Sequence, residues 1–135
     1  MKKIYTSYYN NPHIRNLPNL FAISIGQPSY FKGKVIPALM PTWEMVNKIR
    51  RKEITETEFT TLYFSLLKTR RLDPRKIVQN LPDRSVLLCH EVSGKFCHRN
   101  LVAEWLTKNA DVKINEWLSE EEYKQNKLVQ SHILF

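Results

Sequence analysis

The chain has 135 residues, of which 42% are hydrophobic and 25% charged, ordinary proportions for a globular protein with length for one core but not two. Three glycines and seven prolines exclude collagen-like repeats and low-complexity disorder, and no apolar run reaches membrane-spanning length. Against thirteen acids stand 21 Lys and Arg, giving a net charge of +8 and a pI near 9.6. That balance favours a polyanionic partner such as a nucleotide, DNA or RNA, or an acidic protein.

The excess is uneven. Residues 1–43 carry Lys2, Lys3, Arg15, Lys32 and Lys34 and no acid, whereas residues 110–135 carry three basic and five acidic groups. The acid-free third interleaves its cations with Tyr5, Tyr8, Tyr9, Phe21, Tyr30 and Phe31. Cations beside aromatic faces suit single-stranded nucleic acid, which is gripped by phosphate contacts and base stacking. Aromatic residues are also common in half-buried strands, so packing is the competing explanation.

In chain order, Ile4 to Tyr9 is rich in strand formers and stops at the turn signal Asn10-Asn11-Pro12. The polar start also argues against a signal peptide, so a cytoplasmic protein is expected. Leu20 to Ile25 reads as a strand buried on both faces and ending at Gly26. Residues 26–41 hold two glycines and three prolines and are expected to form a long loop. Thr42 caps a short helix with Trp43, Val46 and Ile49 on one side. Thr55 and Glu58 form a capping box for a helix whose stripe is Phe59, Leu62, Tyr63, Leu66 and Leu67. Asp73-Pro74 opens a third helix through Ile77 and Val78.

Ser85 to Cys89 is a short apolar strand. Leu101, Val102, Trp105 and Leu106 then form a helical face, Val112 to Asn115 reads as a last strand, and Ser119 with Glu122 caps a terminal helix. Strands alternating with helices predict a single α/β domain with three layers around a small, mostly parallel sheet. Its expected bounds are a core over 4–118 and a C-terminal helix or tail over 119–135.

The chemistry concentrates in residues 85–101. Both cysteines and two of the four histidines lie there, in the order buried strand, glycine-containing loop, helix N-terminus. In an open parallel sheet, ligands bind where loops leave the carboxyl ends of strands, and a helix N-terminus attracts anions. Four readings fit. A cysteine near Lys95 and Arg99 favours its thiolate and hence nucleophilic chemistry. The Cys89-x5-Lys95 spacing is similar to the phosphate loop of cysteine phosphatases and rhodaneses, although those loops use arginine at that point. Cys89, His90, Cys97 and His98 are permissible zinc ligands, but adjacent Cys-His pairs diverge on regular backbone and the spacing matches no standard finger. A reversible Cys89–Cys97 disulfide is geometrically open. Finally, both cysteines suit simple packing.

At this run the chain resembles the family of domain of unknown function 488, particularly its short single-domain members. The matching pieces are Tyr5-Thr6-Ser7-Tyr8, Ile23-Ser24-Ile25, Pro41-Thr42-Trp43 and Leu72-Asp73-Pro74. They continue as Leu87-Leu88-Cys89-His90-Glu91, Phe96-Cys97-His98-Arg99 and Val102-Ala103-Glu104-Trp105-Leu106. His90 stands where members often have an aromatic residue, and Lys95 where they often have an acid. The resemblance implies a compact α/β domain and carries no settled activity.

The site expected from these readings is an anion-accepting crevice. Glu91, Cys97 and His98 are its candidate catalytic groups. Thr6, Ser7, Tyr8, Ser24, Cys89, Lys95 and Arg99 are its candidate ligand-binding groups. No cofactor is expected, zinc on Cys89, Cys97 and His98 being the open alternative. The function expected is action on, or binding of, a nucleotide or nucleic acid. The alternative is a non-catalytic nucleic-acid-binding or protein-binding module, an adaptor or inhibitor using the basic face.

Overall fold

A computed structural model describes residues 2–91 and 96–117. Five strands form one sheet: β1 (Ile4–Tyr8), β2 (Leu20–Ala22), β3 (Lys34–Val35), β4 (Ser85–Cys89) and β5 (Ile114–Glu116). Their order is β3-β2-β4-β1-β5, and every pairing is parallel. The helices are α1 (Trp43–Arg50), α2 (Glu56–Thr69), α3 (Pro74–Asn80) and α4 (His98–Ala110). The α/β class and the parallel sheet read from the sequence are therefore those of the structure. No helix among the described residues is long and apolar enough to cross a membrane.

Central strand β4 is buried at all five residues, as a strand covered on both faces must be. Its period-two alternation divides the core. Leu87 joins Ile4, Ile23, Tyr63, Val102 and Leu106 beneath the helices. Val86 and Leu88 join Tyr9, Ile14 and Ala22 on the other face. The four described helices all pack on the first side. Among the described residues the layer on the second face comes from the loop segments 9–19 and 26–33, through Ile14, Leu17 and Phe31.

Local signals placed the helices. The Thr55–Glu58 capping box is present in both directions, at 3.0 and 3.1 Å. Asp73 accepts from the backbone of Arg75 and Lys76 ahead of Pro74. Four expectations need correction. Residues 34–35 of the expected loop form edge strand β3, held by Phe21 and Ala22; both residues are exposed, so no buried alternation marks them. Strand β2 ends at Ala22 rather than Ile25, although Ile23 N–H still donates to Leu88 O at 3.0 Å. Trp43 is 55% exposed, because α1 turns Met45 and not Trp43 into the core. Leu62 is likewise exposed, while Phe59, Tyr63 and Leu67 carry the buried line of α2. The expected terminal helix from Ser119 lies outside the described residues, as does Lys95.

Candidate functional site

Parallel pairing puts the carboxyl ends of all five strands on one edge of the sheet. From β2 the chain passes to β3 on one side, and from β4 it passes through α4 to β5 on the other. Adjacent strands whose connections part in opposite directions leave a crevice between them. A cleft of about 100 Å³ occupies that point. Ser24 and Ile25 line it after β2, Cys89, His90 and Glu91 after β4, and Phe96, Cys97 and His98 at the start of α4. Pro41, Val46, Ile49 and Arg50 of α1 and its approach, with Phe59 of α2, close the apolar side.

The floor of the cleft is a sulfur–imidazole group. Cys89 and Cys97 are joined by a disulfide. His98 Nδ1 lies 3.5 Å from Cys89 Sγ and 3.9 Å from Cys97 Sγ. Its Nε2 lies 2.6 Å from Ile23 O. A carbonyl only accepts, so Nε2 carries the proton and donates, and Nδ1 keeps its lone pair toward the sulfurs. Burial drives the His98 pKa down to about 4, with the Ile23 bond opposing that shift and the charges of Arg99 and His90 adding to it. The imidazole is neutral near neutral pH.

The adjacent pair Cys97-His98 converges because the backbone there is not regular. Cys97 is the N-cap of α4 in extended conformation (φ −152°, ψ 145°), and His98 is the first helical residue. The expectation that neighbouring Cys and His side chains diverge therefore fails at this pair. It holds at the other: His90 turns away, with Nε2 2.9 Å from Gly26 O and its ring 4.9 Å from that of Tyr9. Gly26 sits at φ +75°, a conformation that glycine adopts without strain.

The remaining expected residues separate by role. Ser24 is buried, donates to Gly26 O at 3.0 Å and receives the Tyr9 hydroxyl at 2.5 Å. Burial raises the pKa of Tyr9, with the Ser24 bonds opposing. Glu91 is an exposed residue on the cleft rim. Arg99, expected to accept an anion, is fully buried. Its Nε and Nη2 donate to the two carboxylate oxygens of Glu116 at 3.1 and 2.9 Å, and its Nη1 donates to Glu91 O at 2.5 Å. The guanidinium thus ties α4 to β5 and to the loop after β4. Thr6 belongs to the same group, donating to Glu116 Oε1 at 2.7 Å. Ser7 points to the opposite face and accepts from Asn11 Nδ2 at 3.1 Å. Neither Thr6, Ser7 nor Tyr8 lines the cleft. Arg50 does, and it was not foreseen; the spacing of Val46, Ile49 and Arg50 on one face of α1 was its available signal.

A second hollow of about 460 Å³ lies on the other face of the sheet, lined by Tyr9, Arg15, Tyr30, Phe31 and Lys32 over Ile14, Leu20 and Leu88. Arg15 stands 5.8 Å from the centre of the Tyr30 ring, a cation–π contact. Tyr9 joins the two cavities, its ring in the hollow and its hydroxyl on Ser24 of the cleft.

Residues 21–110 match the family model DUF488-N3a, described as the active DUF488-N3 subclade. The chain belongs to the DUF488 family. The match runs from within β2 to the end of α4 and so contains the whole sulfur–imidazole group. No curated protein and no solved structure is significantly similar to the chain. Among the described residues, Cys89, Cys97 and His98 form a group of potential metal donors whose ligand atoms all lie within 4.8 Å of one another.

Proposed function

We propose that this chain acts on a nucleotide or single-stranded nucleic acid held across the two cavities. The observation that carries the reading is Tyr9. Its ring helps to form a hollow with the aromatic and cationic groups Tyr30, Phe31, Arg15 and Lys32, while its hydroxyl bonds Ser24, which lines the cleft that holds His98. Bases stack on aromatic faces at about 1–3 kcal/mol each, and the cations neutralise phosphate. A strand bound there directs an adjacent group to the cleft. Glu91 is then the acid–base group on the rim, Arg50 a cation at the mouth, and His98 a neutral imidazole of the floor. Inclusion of the family match in the active DUF488-N3 subclade agrees with an enzymatic role.

The test is affinity for a fluorescent single-stranded oligonucleotide measured across a salt series. Each phosphate neutralised adds about −0.7 to the slope of log affinity against log salt for a single strand. Arg15→Ala and Lys32→Ala are each expected to shrink the slope by about that amount. Binding that ignores salt, or that both variants leave unchanged, overturns the reading.

A second reading, a non-catalytic nucleic-acid-binding module, is favoured by one observation: the aromatic hollow is lined by no residue of the sulfur–imidazole group. On that reading Glu91→Gln retains binding and no chemical change in the oligonucleotide is ever detected. On the enzymatic reading Glu91→Gln retains binding and loses turnover.

A further inference from the structure

The two sulfurs and His98 Nδ1 in the cleft floor are spaced close to the donors of a tetrahedral metal site. A tetrahedral zinc ion with Zn–S of about 2.3 Å and Zn–N of about 2.0–2.1 Å sets N···S edges near 3.6 Å and an S···S edge near 3.8 Å. The two N···S edges are already 3.5 and 3.9 Å. Only the sulfurs must part, and the Cα atoms that carry them are 7.1 Å apart. The imidazole is oriented as a ligand needs to be. Its Nε2–H is held by Ile23 O, which fixes the tautomer and aims the Nδ1 lone pair at the sulfurs; a backbone carbonyl in that position is a recurrent outer partner of metal-bound histidine.

We propose that the reduced chain binds one zinc ion through Cys89 Sγ, Cys97 Sγ and His98 Nδ1, leaving the fourth position open to the cleft. This goes beyond the nucleotide reading and revises the expectation that the chain needs no metal. The reaction balances with a dithiol as reductant: it delivers two electrons and two protons to the Cys89–Cys97 bond, yields two protein thiols and becomes a disulfide itself. Zinc then replaces the two thiol protons, which leave to solvent. Three protein ligands with one open position is the pattern of a catalytic zinc rather than a structural one, for which four protein ligands are usual. The bound ion would lower the pKa of a water in the fourth position and present it to the cleft. The disulfide and the metal are mutually exclusive occupants of the same two sulfurs.

The full chain, reduced with a dithiol and then freed of it under inert gas, is titrated with Co²⁺ and afterwards with Zn²⁺. One equivalent of cobalt is expected to give the visible bands of a tetrahedral site and near-ultraviolet sulfur-to-cobalt charge transfer, both bleached by one equivalent of zinc. His98→Gln is expected to lose the tetrahedral bands, and exposed His13→Gln to keep them. Because His98 also holds Ile23 O, X-ray absorption of zinc-loaded wild type supplies an arm that needs no variant: two sulfurs at about 2.3 Å and one imidazole nitrogen at about 2.0–2.1 Å. Reduced wild type that takes up no cobalt, or binds it without sulfur charge transfer, overturns the proposal. Either result leaves oligonucleotide binding by Arg15 and Lys32 untouched, so the two readings fail separately.

Discussion

Replacing Arg99 with methionine keeps an unbranched side chain of similar length and removes all charge. The wild-type guanidinium is fully buried and makes three hydrogen bonds, two to Glu116 and one to Glu91 O. Truncating one member of a buried pair costs about 3–5 kcal/mol, because its partner stays buried and uncompensated. The Glu116 side chain is 24% exposed and keeps its hydrogen bond from Thr6, so it is not left uncompensated and the expected cost sits at the lower end, about 3 kcal/mol. For a chain of this size that corresponds to a fall in Tm of about 10 °C. Thermal and urea unfolding followed by circular dichroism measure it, with the urea midpoint lowered and the slope unchanged. A variant within about 1 kcal/mol of wild type that nonetheless loses oligonucleotide binding would refute the assignment of Arg99 as a tie between α4 and β5.

His98 gives the protein an acid limit. Its folded pKa is about 4 against an ordinary value of 6.5, so between those values the unfolded chain binds a proton that the folded chain excludes. Its contribution is whole above pH 6.5 and is lost as pH falls to about 4, up to about 3 kcal/mol. Urea midpoints from pH 7 to 4 are expected to fall more steeply in wild type than in His98→Gln. Reducing the Cys89–Cys97 bond, which closes a loop of separation 8, is expected to cost about 2.5 kcal/mol; equal unfolding midpoints with and without reductant, zinc being absent, would contradict this. Tyr63 donates to Leu39 O at 2.6 Å in the core, so Tyr63→Phe leaves that carbonyl unpaired. The expected loss is about 1–2 kcal/mol, read from the same denaturation curves.

What was legible in the sequence was local. Thr55 and Glu58 are three residues apart and satisfy each other whatever the rest of the chain does. Asp73-Pro74 is equally self-contained, and the short apolar run from Ser85 to Cys89 marks β4, which is buried at all five residues. Strand β3 was invisible because two exposed residues carry no pattern; the pairing with Phe21 and Ala22 makes it a strand. The site followed the same division. Residues 85–99 announced themselves by composition, and the layout of strand, loop and helix N-terminus placed the cleft at the end of β4. The convergence of Cys97 and His98 depends on one extended N-cap residue, which spacing alone does not reveal. Arg99 looked like an anion ligand because its partner Glu116 is seventeen residues away and brought back by β5. The acid-free first 43 residues supply the cations and aromatic rings of the hollow, but only the fold shows that Tyr9 links that hollow to the cleft.

The most direct measurement is the amide shift map of the isotopically labelled chain as a single-stranded oligonucleotide is added. The account predicts shifts concentrated at Tyr9, Arg15, Phe31 and Lys32, continuing through Ser24 to His90 and His98. Shifts confined to α2 and α3, or none at saturating oligonucleotide, would contradict it.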